Sequence, residues 1–566
     1  MTDSTPPLKK VNEEDFDRTS FLTHDHGPEV LPNDLIFHML RTVAGDQERI
    51  AIRDKEAGIE ATHRQLLCDI MAFKGYLLDS LPPVTLEHLR AESEIPFLIL
   101  STGYEFLVSF FTVQALGGVA VPLSSKVTAN EGIHILRTAR AHAILTGHKY
   151  STVAKAIRDG SGLKGQPNIF LSTPFLMTPV QDPASFRIAS WRAPDQNKPA
   201  LVIFTSGTTG PPKGSAMRRY TLLTTVMQAR DAFKIGTDST VVQLLPMHHA
   251  TGLLVNTLPT VLGGGCVEFV QGGLDPSSIW ERFLAGGLQY FSAVPTVYVR
   301  LMQYWEQKLA KLPPAQRDAY RMAVSNIKSF GSGTSKLPVE VQKKWYALTG
   351  TYISERYSGT EFGPVYRQAA GDSVVLGSVG RKNPLAHSKL SEGSRGEILV
   401  KSPLLFAKYI NDPEGTRKAF TADGYFKTGD IARQEGNHFF IEGRSSVDIL
   451  KSGGYKISAL DVEQEILKHP KIAEASVLGL EDEEYGQRIA AAIVLKEPSI
   501  PLTLNQLRND LRGQLSNYKL PTILRVVPAL PKTETMKVQK HRLKDEFFKE
   551  DHPDIQRWTR SQKSKL

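Results

Sequence analysis

A glycine- and hydroxyl-rich loop follows an apolar run in the segment LVIFTSGTTGPPKG, residues 201–214. Glycine lets the backbone approach a ligand with its N–H groups turned inward, hydroxyl groups add hydrogen-bond donors, and a lysine adds positive charge. These properties suit a triphosphate, and ordinary surface loops seldom combine them directly after a buried strand. Pro212 stands where a Walker A loop needs its second glycine, so we expect a phosphate-binding loop of a different kind. The residues that would bind the phosphates are Thr205, Ser206, Gly207, Thr208, Thr209, Gly210 and Lys213.

Two other segments carry chemically capable side chains that also have simpler explanations. The stretch PKTETMKVQK, residues 531–540, holds three lysines, and its composition alone predicts a solvated loop. His248 and His249 lie on a turn bounded by glycine. They could pack in the interior or form part of a metal site, but no third ligand stands at a plausible spacing, so we expect no metal there.

The order of apolar and helical patterns predicts how these segments are positioned. From about residue 34 to Gly396, apolar runs alternate with helical patterns, as is typical of parallel α/β layers. Beyond Gly396 the predicted strands are short, and a hairpin turn is expected at residues 435–437. After Gly454 a compact α+β pattern follows. The expected divisions are an N-terminal extension (1–33), a large N-terminal domain (34–445), a C-terminal domain (446–545) and a basic tail (546–566).

The composition fits a soluble globular protein of more than one domain, with 566 residues, 41% hydrophobic and 22% charged. The two cysteines, Cys68 and Cys266, exclude a disulfide framework and a cysteine-rich metal site, and they suit a reducing compartment. The net charge of +9 favours anionic partners. Because the charge is spread without a long Lys/Arg run, ATP or a CoA thioester accounts for it as well as nucleic acid does. We expect no nucleic-acid partner.

Neither a secretory signal nor a membrane span is expected. The first residues are polar, and the most apolar region, residues 95–123, is interrupted by glycines and by Glu105. A membrane span needs about 20 consecutive, predominantly apolar residues. The sequence ends in Ser564-Lys565-Leu566 after a hydrophilic lead-in. A terminal S-K-L is read by the peroxisomal import receptor, so we expect a peroxisomal protein.

Further motifs follow the phosphate loop in a fixed order: GSG (331–333), RYSGTE (356–361), YFKTGD (425–430) and GRSSVDILKSGGYKI (443–457). Over about residues 30–545, this series resembles the AMP-forming acyl-adenylating superfamily, which contains acyl-CoA synthetases, nonribosomal adenylation domains and firefly-type luciferases. The nearest resemblance is to its malonyl-CoA synthetase-like branch. It implies an α/β fold in which a large N-terminal domain of layered α/β subdomains includes a small β-barrel. The smaller α+β C-terminal domain would be mobile.

The resemblance also implies how a nucleotide is bound. The ring of Tyr357 would lie against adenine, Thr360 would meet the phosphates, and Glu361 would hold Mg²⁺, a hard cation that prefers carboxylate oxygens. Asp430 would accept hydrogen bonds from both ribose hydroxyls, and Arg444 would bind phosphate and ribose oxygens. The residues implied to contact the nucleotide or to form the pocket floor are Gly331, Ser332, Gly333, Arg356, Tyr357, Ser358, Thr360, Asp430 and Arg444.

The same resemblance gives the lysine-rich stretch a specific role. In relatives it reads Pro-Lys-Thr-x-x-Gly-Lys, and the last lysine spans the substrate carboxylate and the α-phosphate; here that lysine is Lys537. Lys540 is a less favoured substitute. Met536 stands where relatives have glycine, and a side chain disfavours the positive φ that a tight loop can need. The remaining implied assignments are the acyl pocket for His249, the hinge between two domain orientations for Ser446, and the loop that closes on CoA for Gly453 and Gly454.

These assignments predict an ATP-dependent acyl-CoA ligase, which forms an acyl-AMP with release of pyrophosphate and then transfers the acyl group to CoA. A stand-alone adenylating enzyme that loads a carrier protein, a malonyl-CoA synthetase proper, a luciferase-like oxygenase and a nucleotide-binding sensor remain alternatives. A malonate site must pair a second carboxylate with a cation, and the segment after His249 contains none. Because Gly333, Ser358 and Gly359 are small, we expect a medium-sized or specialised acid.

Overall fold

The computed structural model describes residues 30–45, 48–163, 165–189, 193–205, 212–270, 275–368, 374–445, 447–452, 455–483, 485–512, 514–534, 536–549 and 552–558. The strands of the first half are β1 (Val30–Leu31), β2 (Ile50–Asp54), β3 (Ile59–Thr62), β4 (Pro96–Leu100), β5 (Val119–Pro122), β6 (Ala143–Thr146), β7 (Asn168–Leu171), β8 (Arg187–Ile188), β9 (Pro199–Thr205), β10 (Lys213–Arg218), β11 (Thr240–Gln243), β12 (Cys266–Phe269) and β13 (Tyr290–Ala293).

The second half contributes the strands β14 (Ser329–Ser332), β15 (Ile353–Gly359), β16 (Gly363–Arg367), β17 (Arg381–Lys382), β18 (His387–Glu392), β19 (Arg395–Lys401), β20 (Lys408–Tyr409), β21 (Phe426–Glu435), β22 (His438–Arg444), β23 (Ile449–Ser452), β24 (Tyr455–Ser458), β25 (Ile472–Asp482), β26 (Gly486–Leu495), β27 (Ile523–Val526) and β28 (Gln556–Arg557).

The α-helices are α1 (Leu35–Val43), α2 (His63–Ser80), α3 (Pro83–Arg90), α4 (Gly103–Ala115), α5 (Ala129–Ala139), α6 (Ser151–Gly160), α7 (Arg219–Ala232), α8 (Leu258–Leu262), α9 (Pro276–Leu284), α10 (Pro295–Gln307), α11 (Pro314–Ser325), α12 (Val339–Thr349), α13 (Pro413–Lys418), α14 (Ala459–Leu467), α15 (Leu504–Leu511) and α16 (Lys540–Phe547). A π-helical segment, Thr251–Thr257, precedes α8. Short 3-10 turns occur at His148–Tyr150, Thr173–Phe175, Pro183–Ser185, Leu309–Lys311 and Asn517–Lys519.

Two large, mainly parallel sheets form most of the N-terminal part. One has the strand order β20-β10-β9-β5-β4-β6-β7, and the other has the order β17-β16-β15-β14-β13-β11-β12-β2-β3. Helix α4, with the sequence GYEFLVSFFTVQA, is buried on almost every face because it packs between β4 of the first sheet and β2 of the second. The predicted alternation of apolar runs and helices before Gly396 is therefore confirmed.

A smaller antiparallel sheet follows, with the order β18-β19-β21-β22. The hairpin turn predicted at residues 435–437 is confirmed, since it joins β21 to β22 with Glu435 opposite His438. The resemblance implied a small barrel in this region. In the structure, β22 of this antiparallel sheet also forms hydrogen bonds with the segment just before β17. The Val379 N–H donates to the Phe439 carbonyl, and the Phe439 N–H donates to the Gly380 carbonyl.

The C-terminal part has a core of its own. Its sheet runs β24-β23-β26-β27-β28, and β25 pairs with β26. Helices α14 and α15 bury Val462, Ile466 and Leu507 against this sheet, in one cluster with Ile489 and Ile493. The α+β pattern predicted after Gly454 is confirmed. None of the helices in the described part of the chain is both long and apolar enough to cross a bilayer.

Candidate active site

A cleft of about 2190 Å³ lies at the carboxyl ends of the parallel strands and is covered by the C-terminal part. Thr205 ends β9, His249 follows β11, and Thr360 follows β15, and all of them line it. In open α/β sheets this edge is where ligands bind. The predicted site residues that line the cleft are Thr205, Lys213, His249, Arg356, Tyr357, Ser358, Thr360, Glu361, Asp430, Arg444 and Lys537. Those that lie outside the described residues are Ser206, Gly207, Thr208, Thr209, Gly210, Ser446, Gly453 and Gly454.

The predicted phosphate loop connects two antiparallel strands. Thr205 at the end of β9 is opposite Lys213 at the start of β10, and its hydroxyl donates to the Lys213 carbonyl at 3.4 Å. The Lys213 ammonium lies 3.9 Å from Oδ2 of Asp412 and 5.1 Å from the centre of the Tyr409 ring. A Walker A loop leads from a strand into a helix. Here β9 is followed by the antiparallel strand β10 instead of a helix, which agrees with the expectation drawn from Pro212.

Residues 331–333 lie at the buried end of β14, behind the surface of the cleft. A Cβ atom on Gly331 would lie 3.0 Å from the Tyr290 hydroxyl, and one on Gly333 would lie 3.3 Å from Cγ of Arg356. Glycine at both positions therefore lets larger side chains pack closely beneath the cleft. The segment forms part of the floor by giving space to its neighbours.

Gly333, Ser358 and Gly359, whose small size favours a medium-sized or specialised acid, differ in the space that they leave. The space beside Gly333 is taken by Arg356. A Cβ atom on Gly359 would lie 2.4 Å from the ring of Phe362, so that space is also filled. Ser358 is exposed, and it lines the cleft together with Gly359. The small size of the three residues does not reveal these differences, because the neighbouring side chains depend on how the turn and the strands fold.

Glu361 occupies the tight turn between β15 and β16, at the wall of the cleft. The Tyr409 hydroxyl donates to its Oε1 at 3.2 Å. Burial raises the pKa of Glu361, while the hydrogen bond from Tyr409 and the charge of Arg444 act in the opposite direction. A carboxylate in this environment gains stability from a bound cation, because the cation offsets the cost of burying the charge.

Asp430 and Arg444 form an ion pair across β21 and β22. The two residues are directly opposite in the antiparallel register, and Arg444 Nε donates to Oδ1 of Asp430 at 2.9 Å. The Tyr357 hydroxyl donates to Oδ2 at 2.7 Å. The Tyr357 ring packs 5.6 Å from Phe362 and 5.7 Å from Tyr366, measured between centroids. Burial and the Asp430 charge raise the pKa of Tyr357 well above its ordinary value, so its hydroxyl remains a donor.

Arg356 places a positive charge against an apolar wall of the cleft. Its Nη2 donates to the Ser292 hydroxyl at 3.0 Å, and its guanidinium lies 5.1 Å from the centre of the Phe233 ring. The resemblance grouped Arg356 with the nucleotide contacts, whereas its nearest partners come from α7–β11 and β13. The sequence gives no sign that Arg356 could be a cation for the acid, because it lies far from His249 along the chain and only the fold brings it into the same cleft.

The two histidines lie between β11 and the π-helical segment. Their ring centroids are 4.5 Å apart, and His248 Nε2 lies 3.1 Å from Oε2 of Glu534. Burial, together with the charges of His248 and Lys537, lowers the pKa of His249 to about 3. His249 is therefore neutral at physiological pH and presents a ring and hydrogen-bonding nitrogens to the cleft. Within the described residues, no group of His, Cys, Asp or Glu side chains is large enough to hold a metal ion alone.

Residues 531–534 and 536–539 belong to a tight loop that enters the cleft from the C-terminal part. The Thr533 N–H donates to the Lys537 carbonyl at 2.8 Å, and the Lys537 N–H donates to the Thr533 hydroxyl at 3.2 Å. The protein atoms around the cleft lower the pKa of Lys537 although the residue remains exposed to solvent, and the nearby Arg444 guanidinium adds to this effect. The charges of Asp430 and Glu361 act in the opposite direction.

The other two lysines of this loop are engaged elsewhere. Lys532 Nζ lies 2.5 Å from Oε2 of Glu474. Lys540 Nζ lies 2.6 Å from Oδ1 of Asp448 and 2.9 Å from Oε1 of Glu463. Burial alone would lower the pKa of Lys540, but the two carboxylates raise it above its ordinary value. Lys540 is therefore unsuited to replace Lys537, whose ammonium has no ion-pair partner among the residues that the structure describes.

Met536 adopts the backbone conformation that glycine would adopt. Its φ of +61° lies in the left-handed region, which is unfavourable for a residue with a side chain. The side chain is partly buried and packs against the hydrophobic cluster that includes Leu245 and Val294. The Thr296 hydroxyl lies 3.5 Å from the Met536 carbonyl. The loop thus keeps the tight geometry expected of a glycine, and contacts with the N-terminal part accompany the methionine.

Two family descriptions match the chain. "AMP-binding enzyme" matches residues 43–410, and "AMP-binding enzyme C-terminal domain" matches residues 461–537. Among similar proteins, the malonate–CoA ligase of Arabidopsis thaliana is 32% identical over 79% of this chain and 77% of its own length. The mitochondrial malonate–CoA ligase ACSF3 of Homo sapiens is 32% identical over 80% and 82%. A CoA ligase of Gibberella moniliformis is 30% identical over 88% and 93%.

Solved structures share the architecture. ATP-bound MatB from Rhodopseudomonas palustris has a TM-score of 0.75 at 23% identity, over 90% of this chain and 98% of that chain. A malonyl-CoA ligase in a ternary product complex with methylmalonyl-CoA and AMP has a TM-score of 0.59 at 28% identity, over 87% and 99%. The predicted α/β fold, with a large N-terminal domain and a smaller C-terminal domain, is confirmed.

Proposed function

Since the chain belongs to the family of AMP-binding enzymes, we propose that it is an ATP-dependent acid–CoA ligase that works through an acyl-adenylate. The proposal rests on one observation above all. Lys537 of the C-terminal domain lines the same cleft as Glu361, Asp430 and Arg444 of the N-terminal domain. An ammonium group that pairs with no carboxylate among the described residues, held where two anionic substrates would meet, can stabilise the charge of the reacting groups.

In the first step, a carboxylate oxygen of the acid attacks the α-phosphorus of ATP. A new acyl O–P bond forms, the P–O bond to the β-phosphate breaks, and pyrophosphate leaves with the bonding electrons. Two anions must approach each other for this displacement, so catalysis depends mainly on orientation and on offsetting charge. The Lys537 ammonium would lie between the carboxylate and the α-phosphate and reduce their repulsion.

The other cleft residues would hold ATP in place. Asp430 has acceptor capacity beyond its bonds to Arg444 and Tyr357, since each carboxylate oxygen can accept more than one hydrogen bond, and it would accept from the ribose hydroxyls. Glu361 fits a magnesium ion that is bound mainly by phosphates, because Mg²⁺ usually takes only one or two protein carboxylates. When bound, Mg²⁺ neutralises phosphate charge. Thr205, Thr360 and Lys213 would contact the phosphates beside it.

In the second step, the CoA sulfur attacks the acyl carbon of the adenylate. The thiol proton goes to solvent, a C–S bond forms, and the C–O bond to AMP breaks. No lysine bridge is needed between the attacking thiolate and AMP, which is a good leaving group. We propose that rotation about Ser446 removes Lys537 from the cleft at this stage and brings Gly453 and Gly454 towards CoA.

A malonate-like dicarboxylate is a second candidate for the acid, besides a monocarboxylic acid of medium size. It is favoured by Arg356, whose guanidinium lies beside Phe233 and Ser292 in the cleft and could pair with a second carboxylate. The malonate–CoA ligases among the similar proteins support the same candidate. The filled spaces beside Gly333 and Gly359 also weigh against a bulky acyl group.

A panel of acids, assayed for pyrophosphate release and thioester formation with and without CoA, tests the proposal. We expect acid-dependent pyrophosphate release and a CoA thioester for at least one acid. Pyrophosphate release without thioester would favour the loading of a carrier protein, and no nucleotide turnover would overturn the enzyme assignment. An Arg356→Gln variant that loses activity with malonate but keeps it with a monocarboxylate would establish the dicarboxylate; equal losses would exclude that role.

We further propose that the tripeptide Ser564-Lys565-Leu566 directs the protein to the peroxisome. The support is its sequence and the hydrophilic residues before it. A fluorescent protein that carries residues 546–566 at its carboxyl terminus should enter peroxisomes. The same fusion without Leu566 should stay outside, and equal distribution of the two would contradict the proposal.

A further inference from the structure

We propose that Glu534 is a positioning residue. It anchors the loop that carries Lys537 to the N-terminal domain for adenylation, and its contacts with that domain must break before acyl transfer. The inference rests on the proposed function, because it assigns Glu534 to only one of the two half-reactions. Glu534 contacts the opposite domain, and none of the sequence motifs predicts that contact.

Glu534 makes its contacts with the opposite domain. The Ser124 hydroxyl, just after β5, lies 2.6 Å from Oε1 and 2.7 Å from Oε2 of Glu534. His248, just after β11, places Nε2 3.1 Å from Oε2, and the two side chains are only 16% (His248) and 27% (Glu534) exposed. The three residues thus form a polar clasp between Glu534, Ser124 and His248. Polar groups withdrawn this far from water are costly to leave unpaired, so the clasp favours the docked loop.

The clasp acts on Lys537 because the loop between them is held internally. The Met536 N–H donates to the Thr533 carbonyl at 2.9 Å, and Thr533 also hydrogen-bonds to the backbone of Lys537 through its N–H and its hydroxyl. Lys532 and Val538 form a β-bridge at the base of the loop. A loop restrained in this way moves as a unit, so the anchor at Glu534 fixes the Lys537 ammonium in the cleft.

Met536, the residue directly before Lys537, provides a second, apolar anchor. It packs against the N-terminal hydrophobic cluster while its φ is +61°. The left-handed conformation is unfavourable for a residue with a side chain, and the packing of Met536 offsets this cost in the docked arrangement. Two contacts with the N-terminal domain, at Glu534 and Met536, therefore position the loop directly before Lys537.

The charge of Glu534 suits an anchor better than a substrate ligand. The acid and ATP are both anionic, and a carboxylate would repel them. The hydrogen bonds from His248 and Ser124 together lower the pKa of Glu534 to about 2, against the opposing effect of burial. Glu534 therefore stays ionised at physiological pH. Because His248 adjoins His249 at the acyl pocket, the clasp also links the docked loop to the pocket wall.

Separate assays of the two half-reactions test the proposal. The first follows acid-dependent exchange of pyrophosphate into ATP, and the second follows thioester formation from preformed acyl-AMP and CoA. For Glu534→Ala we expect the exchange rate to fall about tenfold to a hundredfold, the usual effect of losing a buried hydrogen-bonding partner. The thioester rate should stay within about twofold of the wild type or rise. Glu534→Asp should recover part of the loss.

Two further variants sharpen the test. Ser124→Ala breaks the clasp from the N-terminal side and should also lower the exchange rate, and the double variant with Glu534→Ala should lose less than the two single losses combined. Glu546→Gln is the matched control, because Glu546 pairs with Arg542 on the exposed face of α16. It should leave both rates unchanged.

The outcomes distinguish this inference from the proposed function. A wild-type protein without any acid-dependent exchange would overturn the function itself. An active wild type whose Glu534→Ala variant loses both half-reactions equally would reduce Glu534 to a general structural role, and an unchanged exchange rate would remove any role. Should Glu534→Ala fail to fold, Ser124→Ala and the Glu534→Asp variant give the same contrast between half-reactions.

Discussion

The hydroxyl of Tyr357 donates a 2.7 Å hydrogen bond to Oδ2 of Asp430. The bond joins β15, which precedes the Glu361 turn, to β21, where Asp430 lies opposite Arg444 of β22. Asp430 is thereby oriented before any nucleotide arrives, with both oxygens held by protein donors. Orientation of this kind lets a carboxylate accept further hydrogen bonds without first losing side-chain freedom. The nucleotide end of the cleft is thus built from β15, β21 and β22 together.

Replacement of Asp430 should weaken nucleotide binding more than replacement of Tyr357. For Asp430→Ala we expect the KM for ATP to rise about tenfold to a hundredfold, since hydrogen bonds to a charged group contribute about 1.5–3 kcal/mol. Tyr357→Phe leaves Arg444 in place and should raise the KM less than about tenfold. ATP–pyrophosphate exchange and calorimetric titration with AMP measure both. A larger effect of Tyr357→Phe would mean that the hydroxyl itself contacts the nucleotide.

Lys537 and Lys540 should fail in different ways when replaced by alanine. Lys537→Ala should slow adenylation by about two to three orders of magnitude, the range expected for a lost charge-stabilising group, with little change in thermal stability. Lys540→Ala leaves Asp448 and Glu463 without their cation and should destabilise the fold by about 3–5 kcal/mol. Half-reaction rates and denaturant unfolding separate the two effects. If Lys540→Ala folds normally but cannot adenylate, the assignment of the reactive lysine is wrong.

The left-handed backbone at Met536 should tolerate glycine but not valine. Glycine relieves an unfavourable conformation that costs about 1–2 kcal/mol and loses the packing of the side chain, so Met536→Gly should keep adenylation within about fivefold of the wild type. Met536→Val introduces a β-branched residue, for which positive φ is least favourable. Because this change would distort the loop before Lys537, it should lower adenylation by more than about tenfold. Similar rates for the two variants would show that the φ of the loop is not important.

Removal of magnesium should abolish adenylation, and Glu361 should set how much magnesium is needed. With EDTA in excess we expect no acid-dependent pyrophosphate release. Glu361→Gln removes the carboxylate but keeps a hydrogen-bond acceptor for Tyr409, and it should shift the magnesium dependence to higher concentration. Titration of the exchange rate with Mg²⁺ measures this shift. An unchanged magnesium dependence in Glu361→Gln would remove Glu361 from the metal site.

The low pKa of His249 should make the free energy of unfolding decrease as the pH falls below neutral. Its pKa is about 3 in the folded protein, compared with 6.5 in an unfolded chain, so on acidification the unfolded state takes up a proton that the folded state does not. Stability is therefore retained above about pH 6.5 and decreases as the pH falls from there towards 3. Thermal unfolding of the wild type and His249→Gln at several pH values measures the difference. A wild type that loses no more stability than the variant would contradict the low pKa.

Much of the fold could be predicted because its local patterns agree with the final structure. The run LVIF is apolar because this part of β9 is buried within a mainly parallel sheet, and the run GYEFLVSFF is apolar on almost every face because α4 lies between two sheets. The proline at Pro212 correctly excluded a Walker A loop. These features depend on the residues of one segment, so the segment alone reveals them.

The sequence by itself determined the family, the order of the site motifs and the choice of Lys537 over its neighbours. Only the tertiary structure decided that Arg356 lies against Phe233 and Ser292, that Phe362 fills the space beside Gly359, and that Glu534 meets Ser124 and His248. Glu534 and Ser124 are 410 residues apart, and no periodicity or spacing within either segment reports on the other. Contacts of this kind arise when whole sheets and domains pack together. They therefore depend on the complete fold, whereas the motifs depend only on the residues of one segment.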